Sequence, residues 1–116
     1  MAGILVIEDD ENINGLLCNI LKQNGYEVES TLNGWEGYKL AMQKDYSLIL
    51  MDLMLPMKSG EEILWELRTK RKTPVIVLSA KNAVYNRIEL LRLGADDFIC
   101  KPFDIDEVIL RMLYLP

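Results

Sequence analysis

The sequence predicts a doubly wound α/β domain, and three observations carry that prediction. GILVIE (3–8), SLILMD (47–52) and PVIVLS (74–79) are short, continuous apolar runs of the kind found in strands buried on both faces. Stretches with helical apolar spacing separate the runs. Each run ends in a polar residue: Glu8, Asp52 or Ser79.

The first strand, 3–8, leads into EDDEN and a helix with Ile13, Leu16, Leu17, Ile20 and Leu21 on its apolar stripe. YEVEST (26–31) alternates polar and apolar residues, as expected of an edge strand. A second helix with Trp35, Tyr38, Leu40 and Ala41 follows it. The strand at 47–52 precedes a helix with Ile63, Leu64 and Leu67, and the strand at 74–79 precedes one with Val84, Ile88 and Leu91. FIC (98–100) is a brief second edge strand before a last helix carrying Ile105, Val108, Ile109 and Met112. Five βα units with right-handed crossovers give a flavodoxin-like (βα)5 fold, a five-stranded parallel sheet of order 2-1-3-4-5. Ligands of such sheets bind at the carboxyl ends of strands 1 and 3, where the chain reverses direction.

Composition narrows the function classes. At 116 residues, half of them hydrophobic, the chain suits one domain over 1–116. No apolar run approaches the roughly 20 residues of a membrane span, and MAGILVIEDD lacks the basic start and cleavage site of a signal peptide, so a cytoplasmic protein is expected. Cys18 and Cys100 form no CxxC pair and read as free thiols. The net charge of −5 disfavours direct nucleic-acid binding, and the basic group Arg68, Lys70, Arg71 and Lys72 reads as the solvated end of a helix. With no histidine in the chain, histidine chemistry has to come from a partner.

The expected crevice gathers Glu8, Asp9, Asp52, Ser79 and Lys101 at one edge of the sheet. Like-charged carboxylates at close range repel unless a cation or protons intervene. A divalent ion that keeps much of its water, Mg²⁺ or Mn²⁺, fits the small number of ligands. Asp9 and Asp52 would bind it directly, Glu8 through water, and Met54 through its backbone carbonyl. Taken alone, EDDE (8–11) could be a helix N-terminus capped by acids, a role that suits Asp10 and Glu11. Lys101 alone could be a turn lysine and Ser79 a cap. Together, an ammonium, a hydroxyl and a metal would surround a phosphoryl group on Asp52, making that residue a plausible nucleophile.

In this order and spacing ILVIEDDENI (4–13), LILMDLMLPMKSG (48–60), PVIVLSA (74–80) and GADDFICKPF (94–103) make the chain resemble the receiver domain of two-component response regulators over its whole length. The resemblance implies that Asp52 is the phosphoacceptor, loaded by a sensor histidine kinase. It implies that Glu8 and Asp9 are the acidic pair around Mg²⁺, Ser79 the switch hydroxyl, and Lys101 the phosphoryl-contacting lysine before a cis Pro102. Phe98 falls at the switch aromatic, where tyrosine is commoner. Met54 and Lys81 border the path of attacking water and would tune dephosphorylation, which is expected to be slow.

Arg87, Asp96, Asp97, Glu107 and Arg111 match the charged face of the OmpR/PhoB subfamily, where the fourth helix, fifth strand and fifth helix form a two-fold dimer interface. A receiver separated from a DNA-binding effector domain is the expectation. A stand-alone receiver or phosphorelay protein is the alternative. A metal-dependent aspartyl-phosphate phosphatase would need a second general acid near Asp52, which DLMLP does not offer. A flavin binder would need a Ser/Thr/Gly-rich phosphate loop in place of EDDEN.

Overall fold

The computed structural model describes residues 3–80 and 87–115. Its elements run β1 (Ile4–Ile7), α1 (Glu11–Gln23), β2 (Val28–Thr31), α2 (Gly34–Gln43), β3 (Leu48–Asp52), α3 (Gly60–Arg68), β4 (Val75–Ala80), α4 (Arg87–Leu93), β5 (Asp97–Lys101) and α5 (Ile105–Leu113). All strand pairs are parallel, in the order β2-β1-β3-β4-β5. The flavodoxin-like doubly wound sheet expected from the sequence is the fold observed.

The apolar runs form the three inner strands because helices cover both of their faces. Leu5, Ile7, Ile49, Met51, Val75 and Val77 pack under α2, α3 and α4 against Ala41, Ile63, Leu64, Leu67 and Leu90. Ile4, Val6, Leu48, Leu50, Ile76 and Leu78 alternate onto the opposite face, against Leu17, Leu21 and Val108 of α1 and α5. Burying one such side chain contributes about 1.5–3 kcal/mol, so the inner strands form the most resistant part of the fold. Register pairs Ile7 with Met51 and Asp52 with Leu78, which brings the carboxyl ends of β1, β3 and β4 level.

Side chains punctuate the helices. Asp10 caps α1 by accepting from the N–H groups of Asn12 and Ile13 at 2.9 and 3.1 Å. Asn33, Ser59 and Asp104 cap α2, α3 and α5 in the same way. Three helical faces differ from the sequence expectation. On α1 Leu16 is 50% exposed, the buried positions being Asn14, Leu17 and Leu21. Leu90 is the buried residue of α4, while Ile88 and Leu91 are 61% and 45% exposed; Val84 lies outside the described residues. On α2, Gly37 and Ala41 face the sheet and Gly34 the Lys58 backbone, while Trp35 stays half-exposed, stacked on Tyr38 at 5.8 Å. A Cβ on Gly37 would stand 2.6 Å from the Ile7 side chain, so the helix lies too close to β1 to seat a larger residue there.

Candidate functional site

The site forms where β1, β3, β4 and β5 end together. Glu8, immediately after β1, has no exposed surface, and Asp52, the last residue of β3, is 7% exposed. The exposed Asp9 completes the acidic group. One carboxylate oxygen from each of Glu8, Asp9 and Asp52 lies within 4.8 Å of the others.

Lys101, at the end of β5, reaches across the crevice. Its Nζ forms an ion pair with Glu8 Oε1 and another with Asp52 Oδ2 at 3.2 Å. The other Glu8 oxygen accepts from the Asp10 N–H at 3.1 Å. Burial pushes the Glu8 carboxyl above the ordinary glutamate value; the Lys101 and Asp10 hydrogen bonds oppose the shift and the Asp52 charge adds to it. Burial alone would lower the Lys101 ammonium, but its contacts with Glu8 and Asp52 outweigh burial and hold it above the ordinary lysine value. Lys101 therefore stays charged and offsets one of the two buried carboxylates. The peptide bond to Pro102 is cis.

Local chain geometry fixes the two ends of this arrangement. The buried Asn14 amide donates to the carbonyls of Glu8 and Thr31 at 3.0 and 3.1 Å, tying the end of β1 to that of β2. Its sign in the sequence is a polar residue on the core stripe of α1, three positions before Leu17, and sequence reasoning passed over it. After Asp52 the chain turns at once: the Met54 N–H donates to Asp52 Oδ1 at 3.3 Å, and Leu55 N–H to the Leu53 carbonyl at 3.1 Å. Gly60 lets α3 begin against this turn, since a Cβ there would lie 2.5 Å from the Asp52 carbonyl oxygen.

Ser79 is buried near the end of β4, and its hydroxyl donates to the Ala80 carbonyl at 3.4 Å. Phe98 lies on β5 opposite Val77, half-buried against the α3/α4-side core. The Met54 side chain is 76% exposed beside the crevice. Lys81 lies outside the described residues, as does the side chain of Arg87.

The remaining charged residues of the predicted face have partners within the chain. Asp96 turns inward, accepting from the Val75 N–H at 2.8 Å and from Arg68 Nη2 at 3.1 Å. Arg111 donates to both Asp97 carboxylate oxygens at 3.0 Å and to Glu107 at 3.3 Å. A cleft of about 900 Å³ opens beside Asp97, Glu107, Leu110 and Arg111.

The acidic group meets the needs of a hard divalent cation. It offers oxygen donors only, from two buried carboxylates and one exposed one, and the single ammonium that reaches it, Lys101, leaves the group with a net negative charge for a cation to offset. Among the described residues no helix is long and apolar enough to cross a membrane.

Comparison with known proteins agrees with this geometry. The chain is 43% identical over 109 residues to the transcriptional regulatory protein SrrA of Staphylococcus aureus (strain NCTC 8325 / PS 47), an alignment covering 94% of this chain and 45% of SrrA. It thus spans about half the length of the curated relatives it matches. The receiver domain of the Francisella response regulator 1452 superposes with a TM-score of 0.90 at 36% identity, covering 97% of this chain and 94% of that one. A response regulator from Burkholderia pseudomallei, crystallised with a phosphorylated aspartic acid, calcium ion and citrate, superposes with a TM-score of 0.85 at 26% identity, covering 97% of this chain and 66% of that one. The family model of the response regulator receiver domain matches residues 4–113, and the chain belongs to that family.

Proposed function

We propose that Asp52 is the phosphoacceptor of this receiver domain and that a sensor histidine kinase is its phosphodonor. The observation that carries the reading is the Lys101 ammonium standing between the buried carboxylates of Glu8 and Asp52. An Asp52 oxygen attacks the phosphorus of a partner's phosphohistidine; the P–N bond breaks, and the imidazole nitrogen leaves with the electron pair and is protonated. The chain has no histidine of its own, so the donor must come from elsewhere. The phosphorylated aspartic acid of the Burkholderia pseudomallei relative supports the same chemistry.

Glu8, Asp9, Asp52 and the Met54 carbonyl would hold Mg²⁺ or Mn²⁺. When bound, the cation offsets charge on the transferring phosphoryl oxygens. Lys101 is placed to pair with the phosphoryl group formed on Asp52, at the expense of its contact with the carboxylate. Ser79 turns its hydroxyl from the Ala80 carbonyl toward the new oxygens, and Phe98 moves into the space behind it. This shifts a pre-existing equilibrium of the face built from α4, β5 and α5. Phe98 has no hydroxyl to anchor either state, so packing alone sets its balance. Met54 and Lys81 shield the phosphoaspartate from water, giving slow self-dephosphorylation.

The output is dimerisation in the OmpR/PhoB manner through Arg87, Asp97, Glu107 and Arg111, with Asp96 bracing β5 from within. Because Arg111 already pairs with Asp97 and Glu107, a reciprocal contact between subunits exchanges one ion pair for another. The charges therefore set register more than affinity. The exposed Ile88 and Leu91 supply apolar area. The whole serves a transcription regulator whose effector domain lies outside this sequence. The domain acts as a signalling phosphoacceptor in the cytoplasm, and the only reactions it catalyses are its own phosphorylation and dephosphorylation.

With a small acyl phosphate and Mg²⁺, the wild-type chain should gain acid-labile phosphate and Asp52→Asn should gain none. Labelling of the variant to the wild-type level would sink the assignment.

A further inference from the structure

The segment between β3 and α3 carries Met54, and its far end is held in an unusual way. Met57 has φ 73°, a left-handed conformation that is unfavourable for an L-residue and persists only where the surroundings enforce it. The Met57 side chain is 77% exposed, so burial does not compensate. What encloses the segment is α2. The Gly34 N–H donates to the Pro56 carbonyl at 3.0 Å, and the Lys58 carbonyl fills the place a Cβ on Gly34 would take. The Lys58 side chain, 14% exposed, runs inward; its Nζ lies 4.5 Å from the Tyr38 ring centroid on α2 and 2.6 Å from Glu66 Oε2 on α3. One ammonium thus joins both helices to the strained end of the loop.

Upstream, Met54 is the central residue of a three-residue turn closed by the Leu55 N–H and the Leu53 carbonyl, with Leu53 and Leu55 sunk into the core. Such a turn is soft, and its carbonyl direction depends on where the following residues are pinned. Freed from α2, Met57 would relax out of its left-handed conformation and carry Pro56 and the turn with it.

Resting on the receiver reading above, we infer that Lys58 is a positioning residue for the cation-binding loop, acting through Tyr38 and Glu66 to preset the Met54 carbonyl. Nothing in the acidic group itself requires a lysine at this position, and the partners of the Lys58 ammonium are Glu66 and Tyr38 rather than Glu8, Asp9 or Asp52.

The test is Mn²⁺ affinity, read from the paramagnetic signal of the free ion, set beside urea stability for the same variants. Lys58→Met keeps the apolar stem over Tyr38 and removes the charge; it should weaken Mn²⁺ binding about tenfold, the usual scale for a residue behind the ligands. Lys58→Arg, which can still meet Glu66 and stack on Tyr38, should restore affinity to within about threefold of wild type. Should Lys58→Met not fold, Glu66→Gln, which keeps the shape and removes the partner charge, carries the same expectation. Unchanged Mn²⁺ affinity in Lys58→Met or Glu66→Gln, whatever happens to stability, overturns the proposal and leaves the receiver reading standing. Absence of Mn²⁺ binding in the wild-type chain overturns both.

Discussion

Replacing Lys101 by methionine keeps most of the side-chain volume and removes the one cation between two buried acids. Glu8 would retain a single partner, the Asp10 N–H, and would face Asp52 with no positive charge between them. Breaking a buried ion pair from one side costs about 3–5 kcal/mol, because the remaining charge is left unpaired. The Lys101 side chain is 19% exposed and that of Asp52 10%, so water partly replaces the ammonium and the loss belongs near the low end, about 3 kcal/mol. With a urea dependence of about 2 kcal/mol/M, the unfolding midpoint should fall by about 1.5 M in metal-free buffer near pH 7.5.

The pH dependence has a definite sign. The folded Glu8 carboxyl already sits above its ordinary value of 4.5, and loss of Lys101 removes a contact that lowers it. A raised carboxyl stabilises the fold below the unfolded value, and that contribution disappears as pH rises through the folded value. The penalty of Lys101→Met should therefore be smallest near pH 5 and grow toward pH 7.5, and adding Glu8→Gln should recover most of it. A penalty below about 0.5 kcal/mol at the higher pH, or one equal at both, would refute the pairing argument.

Three further outcomes follow from particular residues. Met57→Gly should stabilise the chain by up to about 1 kcal/mol in urea unfolding, since glycine takes the left-handed conformation freely and loses part of the gain to chain entropy; destabilisation would mean that the methionine side chain contributes packing despite its exposure. Burial, reinforced by the Glu29 carboxylate, pushes the Tyr46 phenol up to about 12. Its contribution to stability is complete below the ordinary tyrosine value of 10.0 and is lost as pH rises through about 12, so ultraviolet titration should show a late-ionising component that Tyr46→Phe removes. Arg111→Ala should cost the monomer at most about 1 kcal/mol, its ion pairs being partly exposed, yet weaken phosphorylation-dependent dimerisation in sedimentation velocity; an unaffected dimer would place the interface elsewhere.

The inner strands were legible because continuous apolar runs of strand length have few other uses. The edge at which they end was legible because strand order determines which loops meet. The adjacent pair Glu8 and Asp9 is far in sequence from Asp52 and from Lys101, and only the parallel order 2-1-3-4-5 brings the three places together. The facing of α4 was not legible: among its described residues Leu90, which lies between the periodic Ile88 and Leu91, is the buried one, with Leu93 partly buried against the same core. Trp35 misled for a related reason, since Gly37 lies against Ile7 of β1 and Gly34 against the Lys58 backbone, and these close approaches leave the large residue between them half-exposed. The inward pairing of Asp96 with Arg68 and the Val75 N–H leaves no periodic sign in a charged stretch. Lys58 reads as a polar loop residue, because its two partners, Tyr38 and Glu66, belong to two different helices.

In the proposed reaction one carboxylate, held at the end of β3, receives the phosphoryl group. Treating the wild-type chain with an acyl phosphate and Mg²⁺, then reducing with borohydride and sequencing the peptides by mass spectrometry, locates that group directly, because an aspartyl phosphate is converted to homoserine. Homoserine is expected at position 52 alone, dependent on the divalent cation and absent from Asp52→Asn. Homoserine at Asp9 or another acid, with position 52 unmodified, would contradict it.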